Sequence, residues 1–324
     1  MIGRKTATVF GGAGFLGKYV VRKLAADGYA IRVACRRTDL ANDLRQLGDV
    51  GQVVPFYAPV QNEDAVAEVV SDASVVVNLA AILGASSVAA LNAVNVEGAA
   101  RVARLAAAAG VQTLVHMSAI GAASTSPSAY GRSRGAGEAE VARHFPSATI
   151  VRASVLFGPE DHFLNMLGGL ARYVPFVMPV YGASAKLQPV YVADVAEAIR
   201  VIVRAFEETP SIRANLCELG GPEILSMRAI AERVLAMTGR SKPIFEVPSS
   251  LASLQASVLE HLPGRVLTRD QLKMLTVDNV VDNSLPGFRD LGIVPASMDM
   301  IAPAYMARYS VGGKRINVLN QITE

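Results

Sequence analysis

The stretch that decides the fold is Thr6-Ala7-Thr8-Val9-Phe10-Gly11-Gly12-Ala13-Gly14-Phe15-Leu16-Gly17. Its first five residues form an apolar, β-prone run, and its last three open a helical pattern over Leu16–Ala26 that Gly28 closes. Between them Gly11, Gly14 and Gly17 take a GxxGxxG spacing. Gly11 permits a tight turn, Gly14 lets a backbone approach a pyrophosphate, and Gly17 lets the helix pack closely on the strand. The N–H groups and positive dipole end of the new helix, at Phe15 and Leu16, are then presented to phosphates. A strand, a glycine turn and a helix in that order are the start of a dinucleotide-binding βαβ unit.

Outward from this turn, strands and amphipathic helices alternate as in a parallel sheet covered on both faces. Strands are predicted at Ala30–Cys35, Val53–Tyr57, Ser74–Leu79, Thr113–Met117 and Thr149–Arg152. Helices are predicted at Asp64–Val70 and, as one long Ala-rich segment, at Val88–Ala109, closed by Gly110. After Phe157 the rhythm loosens. Tyr173–Ala185, with two prolines and three aromatics, reads as a loop or lid. Gln188–Val192 feeds a helix over Ala193–Phe206, followed by a strand at Asn215–Leu219 and a helix at Met227–Met237. Short helices at Leu251–His261 and Arg269–Leu275 follow. The predicted organisation is a nucleotide-binding domain over residues 1–157 plus 186–206, a smaller α/β region over 158–185 and 207–311, and an extended tail over 312–324. Leu251, Leu254, Val258 and Leu262 form an apolar stripe at helical spacing, read first as core-facing, with a partner or membrane contact as the alternative.

The end of the second strand selects the nucleotide. An acidic residue there would grip ribose hydroxyls, but Arg36 and Arg37 stand at that point. Guanidinium groups suit a 2′-phosphate, so the reading is NADPH.

Composition narrows the remaining classes. Hydrophobic residues make up 51% of the 324-residue chain and charged residues 18%, which excludes a disordered protein. The net charge of +3 comes without a Lys/Arg run, so no nucleic-acid partner is expected. Cys35 and Cys217 stand apart as core thiols. The four histidines (His116, His144, His162 and His261) show no ligand spacing, and no metal site is expected. The first strand begins by Thr6, which leads to the expectation of no presequence, and no transmembrane helix is predicted.

The GxxGxxG spacing resembles the extended and atypical short-chain dehydrogenase/reductases, which implies a Rossmann-type doubly wound sheet. Asn78-Leu79-Ala80-Ala81 after the fourth predicted strand, Asn95, Tyr130 with a basic residue four positions on, and Gln188-Pro189-Val190-Tyr191-Val192-Ala193-Asp194-Val195 carry the same likeness over about the first 240 residues. The resemblance assigns Leu79, Ala80 and Ala81 to the cofactor. In active members a Tyr moves the proton, a Lys four residues later tunes it, and a Ser after strand five polarises the substrate oxygen. Here Tyr130 is kept, Arg134 replaces the Lys, and Ala119 falls where the Ser belongs, with Ser118 one residue early. Arg does not present its donors as Lys does. The expectation is therefore that Ser118, Tyr130 and Arg134 border the cofactor, with Tyr130 a vestigial candidate and no assigned catalytic residue.

A narrower resemblance spans nearly the whole chain, to the NADPH-holding Rossmann-type accessory subunits of respiratory complex I. It rests on Leu47-Gly48-Asp49-Val50-Gly51-Gln52, on Phe157-Gly158-Pro159-Glu160-Asp161-His162-Phe163-Leu164-Asn165, on Leu267-Thr268-Arg269-Asp270 and on Pro286-Gly287-Phe288-Arg289-Asp290-Leu291-Gly292-Ile293. It implies NADPH held without turnover, partner subunits of the peripheral arm and membrane junction, proximity to lipid or quinone, and a peripheral place on the cytoplasmic face of a bacterial inner membrane, or the matrix side if mitochondrial. The acidic residue usual after strand three is missing at Pro59-Val60. Two other readings stay open from the residues: an active NADPH-dependent reductase or epimerase on a small or isoprenoid substrate, and an NmrA-like redox sensor.

Overall fold

The computed structural model describes residues 4–84, 87–208, 215–260 and 267–312. The chain divides into two compact units, one of Met1–Ala153, Ala193–Leu219 and Asn283–Ile293, the other of Ser154–Val192, Gly220–Asp282 and Val294–Glu324.

The first unit is a seven-stranded parallel sheet. Its strands are β1 (Thr6–Phe10), β2 (Ala30–Cys35), β3 (Val53–Tyr57), β4 (Val75–Asn78), β5 (Thr113–Ala119), β6 (Thr149–Ala153) and β7 (Leu216–Leu219), in the spatial order β7-β6-β5-β4-β1-β2-β3. The order reverses between β1 and β4, where the two connections leave on opposite sides and open a crevice at the carboxyl edge. Helices α1 (Phe15–Ala26), α2 (Glu63–Val70), α3 (Val88–Asn95), α4 (Glu97–Ala108), α5 (Ala129–His144) and α6 (Val192–Glu208) belong to the connections. One apolar cluster, including Phe10, Val66, Val76, Val102, Leu114 and Val141, fills the space between the sheet and α2, α4 and α5. A short 3₁₀ run covers Asp39–Leu47.

Local chemistry sets the boundaries. Asn62, Ser87 and Ser128 cap α2, α3 and α5, each accepting from a backbone N–H three residues on. The helix predicted over Val88–Ala109 is instead two helices broken at Val96. Asn95 explains the break. Its side chain accepts from the Ile82 N–H and donates to the Ile82 carbonyl, both at 3.0 Å, and donates to Ser133 Oγ, so the helix turns there to keep Asn95 directed at the β4 loop.

Helix α5 was not foreseen in the sequence, because its buried face is Gly131, Ser133, Arg134, Gly137 and Glu138 with Val141 the one large apolar residue. A Cβ on Gly137 would collide with the Asn95 carbonyl, and one on Gly135 would lie 2.8 Å from Ala123 N. The helix packs by closeness of backbone, and apolar periodicity is absent.

In the second unit, residues 156–157 pair in parallel with 190–191, and 186–187 pair antiparallel with 225–226. The segment Tyr173–Ala185, expected as a loop or lid, contains a strand at Met178–Val180 that pairs in parallel with Ile244–Glu246. Pro179 tolerates this because a two-stranded sheet leaves one edge of each strand unpaired. Helices Phe163–Tyr173 and Met298–Met306, missed in the sequence reading, pack with Met227–Met237 around Leu167, Ile230, Val234 and Met306. The contact division also departs from the expected domain boundaries, placing 186–192 in the second unit and Leu216–Leu219 and 283–293 in the first. The stripe read as core-facing is not. Helix Ser249–Leu259 buries Ala252 and Ala256, and leaves Leu251, Leu254 and Val258 exposed; Leu262 lies outside the described residues, as does the expected tail beyond 312.

Candidate functional site

At the crevice between β1 and β4 the glycine turn has the geometry its spacing demands. Gly11 takes φ +73°, which an L side chain rarely adopts, and a Cβ there would press at 3.1 Å on the Leu79–Ala80 backbone. Gly17 is the tightest point, since a Cβ would overlap the Gly11 carbonyl and lie 2.6 Å from Gly12 Cα. Gly14 differs: only the Gly11 oxygen, at 3.1 Å, comes within 4 Å of a Cβ placed there. Gly14 is also the N-cap of α1, and no side chain caps it. The first turn of α1 thus keeps its N–H groups for a ligand. Leu16 is buried, and the half-buried Phe15 ring packs edge-on against Tyr19. These two contribute backbone rather than side chain.

A cavity of about 590 Å³ opens at this turn. Gly11, Ala13 and Gly14 line one side, Leu79, Ala80, Ala81 and Ile82 after β4 another, and Ala34, Cys35, Arg36 and Arg37 at the end of β2 a third. Ala58, Pro59, Val60 and Gln61 after β3 and Val94 of α3 complete it. Six of the expected contacts therefore share one cavity with Gly11: Gly14, Arg36, Arg37, Leu79, Ala80 and Ala81. The 58–61 segment, Cys35, Ile82 and Val94 were missed; their signal lay only in position, at the carboxyl ends of neighbouring strands. Cys35 sits against its walls with its thiol pKa raised by burial.

The two arginines divide. Arg37 Nη2 pairs with Asp39 at 2.8 Å. Arg36 is exposed and has no hydrogen bond or ion pair among the described residues. Arg36 is accordingly the guanidinium available to a ligand phosphate. The uncapped helix start, the open face at Gly14 and the free Arg36 all fit a phosphorylated dinucleotide.

Ser118, Tyr130 and Arg134 stand outside the walls of that cavity, at the carboxyl end of β5 and the start of α5. Parallel register sets Ser118 of β5 beside Arg152 of β6, and Arg152 beside Glu218 of β7. Glu138 of α5 covers this row. Its carboxylate accepts from the Ser118 hydroxyl and, through both oxygens, from Arg152 Nε at 2.9 Å and Nη2 at 2.6 Å. Arg152 Nη1 reaches Glu218 at 3.4 Å. The hydrogen-bonded Glu138 carboxylate pushes the Arg152 pKa further up. Ser118 is buried with its one proton directed at Glu138, so it can offer a substrate only lone pairs.

Arg134 is 2% exposed and donates through Nη2 to the Met117 carbonyl. Its Nε and Nη1 have no acceptor among the described residues. His116 is fully buried beside Asn78, whose Nδ2 lies 3.2 Å from His116 Nδ1. Burial first, and the Arg134 charge second, hold the His116 pKa well below its ordinary value. Tyr130 is half-buried in the first turn of α5, and its carbonyl accepts from Ser133 Oγ. Among the described residues no cluster of three or more His, Cys, Asp or Glu could hold a metal ion. The Cys217 thiol is pushed up to about 12 by burial and is inert at neutral pH.

Comparison with known proteins agrees with this geometry. Residues 7–217 match the NAD dependent epimerase/dehydratase family. NADH dehydrogenase [ubiquinone] 1 alpha subcomplex subunit 9, mitochondrial, of Arabidopsis thaliana is 31% identical over 318 residues, covering 95% of this chain and 78% of that protein. The protein of the same name from Mus musculus is 29% identical over 306 residues, 94% of this chain and 80% of that protein. Among solved structures, dTDP-glucose 4,6-dehydratase DesIV of Streptomyces venezuelae, with NAD and TYD bound, has a TM-score of 0.70 at 19% identity, over 94% of this chain and 96% of that one. The chain belongs to the NAD dependent epimerase/dehydratase family, and its relatives over nearly the whole length are subunits of mitochondrial NADH dehydrogenase.

Proposed function

We propose that this chain is an accessory subunit of a respiratory NADH:quinone oxidoreductase that holds NADPH as a structural part and does not turn it over. The observation that carries the reading is the committed hydroxyl of Ser118. Its proton goes to Glu138, the adjacent residue is Ala119, and Arg134 donates through Nη2 to the Met117 carbonyl. Of the Ser, Tyr and Lys positions that the family pattern uses for catalysis, this chain keeps Tyr130 alone. Bound NADPH supplies hydride chemistry in this family; here the chain's own residues bind and orient it. Gly14 and the start of α1 would take the pyrophosphate, Arg36 the 2′-phosphate, and residues 79–82 the face of the nucleotide. Partners are other subunits of the complex, by the identity of its relatives. No described helix is long and apolar enough to cross a membrane, which fits a peripheral subunit on the inner membrane, facing cytoplasm or matrix.

Affinity purification from native membranes tests the assembly. The chain is expected to bring down NADH:quinone oxidoreductase with NADPH still reduced; a free protein that oxidises NADPH with a carbonyl or quinone acceptor overturns the reading. The nucleotide assignment has its own test. Arg36→Asp should weaken NADPH by about 2–3 kcal/mol, roughly 30- to 150-fold, and NADH by far less, since a charge-assisted bond to phosphate is replaced by repulsion. Equal losses measured by calorimetry for both nucleotides would remove the 2′-phosphate from Arg36.

A further inference from the structure

The cavity at the glycine turn is distinguished by the groups that its walls lack. Among the described residues lining it there is no carboxylate, hydroxyl or asparagine side chain, and beyond Arg36 and Arg37 the polar side chains are Cys35 and Gln61. The apolar lining is continuous with the interior of the first unit. Ala34, Ala58, Val60 and Val94 belong to the cluster packed on the sheet, and Ala80 and Ile82 lie against it. Residue 98 of α4 is glycine, and a Cβ there would lie 2.6 Å from Val60 Cγ2, so a side chain at 98 would dislodge Val60.

Several backbone groups of the same walls are engaged within the protein. The Ala58 N–H donates to the Cys35 carbonyl at 3.0 Å, the Pro59 carbonyl accepts from the Asn62 N–H at 2.9 Å, and the Val60 carbonyl accepts from Arg101 Nη1 at 2.8 Å. Pro59 has no N–H to offer. Across the cavity the Ala80 N–H donates to Asn78 Oδ1 at 3.1 Å, and Asn95 takes both the N–H and the carbonyl of Ile82. The Cys35 thiol faces the Arg37 and Phe56 carbonyls at 3.4 and 3.7 Å. Gln61 is exposed, and its amide both donates and accepts.

We infer that this cavity reads the purine of its nucleotide by shape and apolar contact, and takes a 6-oxo purine, hypoxanthine, as readily as the 6-amino purine of NADPH. The inference rests on the nucleotide reading above. Base and 2′-phosphate share one ribose, so a phosphate held by Arg36 keeps the purine among these walls. Adenine and hypoxanthine differ on their hydrogen-bonding edge. An amine donor and a ring-nitrogen acceptor become a carbonyl acceptor and a ring N–H donor. A site rejects the wrong edge strongly when that edge leaves one of its polar groups unpaired. The side chains here present no such group, since the Gln61 amide turns to suit either edge. An acidic side chain at residue 59 would accept from the amine and repel the carbonyl, but proline stands there.

Titration calorimetry on the full chain, freed of nucleotide, is the test. NADPH and its hypoxanthine counterpart should bind within about threefold of each other. Pro59→Asp should open a gap of about tenfold in favour of NADPH, because a charge-assisted bond then forms with one edge and repulsion with the other. The ratio of the two constants is the quantity read, so an effect of the new charge on the phosphates, which both nucleotides carry, cancels. Circular dichroism reports that the variant folds, and the wild-type ratio needs no variant. A wild-type preference for NADPH of about tenfold or more, or a folded Pro59→Asp protein that binds the two alike, would each overturn the inference. No binding of either nucleotide overturns the nucleotide reading and this inference with it, whereas unequal binding by wild type overturns the base assignment alone.

Discussion

Replacing Gly17 with valine is expected to abolish nucleotide retention and to lower the unfolding free energy by about 3 kcal/mol, the upper end of what overpacking a tight site costs. The reason lies in the turn itself. A Cβ at residue 17 occupies the space of the Gly11 carbonyl and Gly12 Cα, and both are backbone atoms that side-chain repacking cannot move. Relief requires α1 to lift from β1, which carries the helix N-terminus away from the phosphate position and opens the packing around Val20, Val21 and Leu24, all buried. Gly14→Ala provides the comparison. Its methyl meets only the Gly11 oxygen and otherwise fills the ligand's own space, so stability should stay within about 1 kcal/mol of wild type while nucleotide binding is lost. Denaturant titration with and without NADPH separates the two. A Gly17→Val protein of wild-type stability would mean that the turn is looser than its geometry.

Arg152→Met should cost about 3–5 kcal/mol, the range for removing one partner from a buried ion pair. Methionine fills the volume, but it removes the guanidinium that bridges Glu138 and Glu218, both 7% exposed. Urea titration of the two proteins at neutral pH is the measurement. A deficit under about 1 kcal/mol would overturn the ion-pair assignment.

The seven strands of the first unit were legible because each is a short apolar run closed by a turn residue, and parallel strands buried on both faces read that way. The glycine turn and the place of Arg36 and Arg37 after β2 were legible for a different reason: each is a position at the end of one strand, which a sequence displays directly. Side-chain engagement was not legible. That Asp39 occupies Arg37 while Arg36 stays free follows from how the chain leaves β2, and no spacing rule expresses it. Nor did α5 show itself, since glycines and a buried Glu–Arg pair carry its packing where apolar residues would have announced it. The strand at Met178–Val180 was masked by Pro175 and Pro179, which signal a loop except where a strand has an edge to spare. Serine 118 illustrates the limit best: its position beside Ala119 was readable, its capture by Glu138 only in three dimensions.

The row Ser118–Arg152–Glu218 also bears on the order in which the chain can fold. β5 and β6 are close in sequence, but β7 arrives only after the chain has left the first unit through Ser154–Val192 and returned through α6. Until Glu218 is in register beside Arg152, the edge of β6 lies bare, and β7 in turn has its Glu218 N–H taken by the Pro286 carbonyl from a still later return. Contacts of such long sequence separation form slowly. A ribosome-bound or truncated chain ending near Ala153 should therefore expose an unpaired β6 edge, a sticky intermediate whose closure waits on the C-terminal third of the protein.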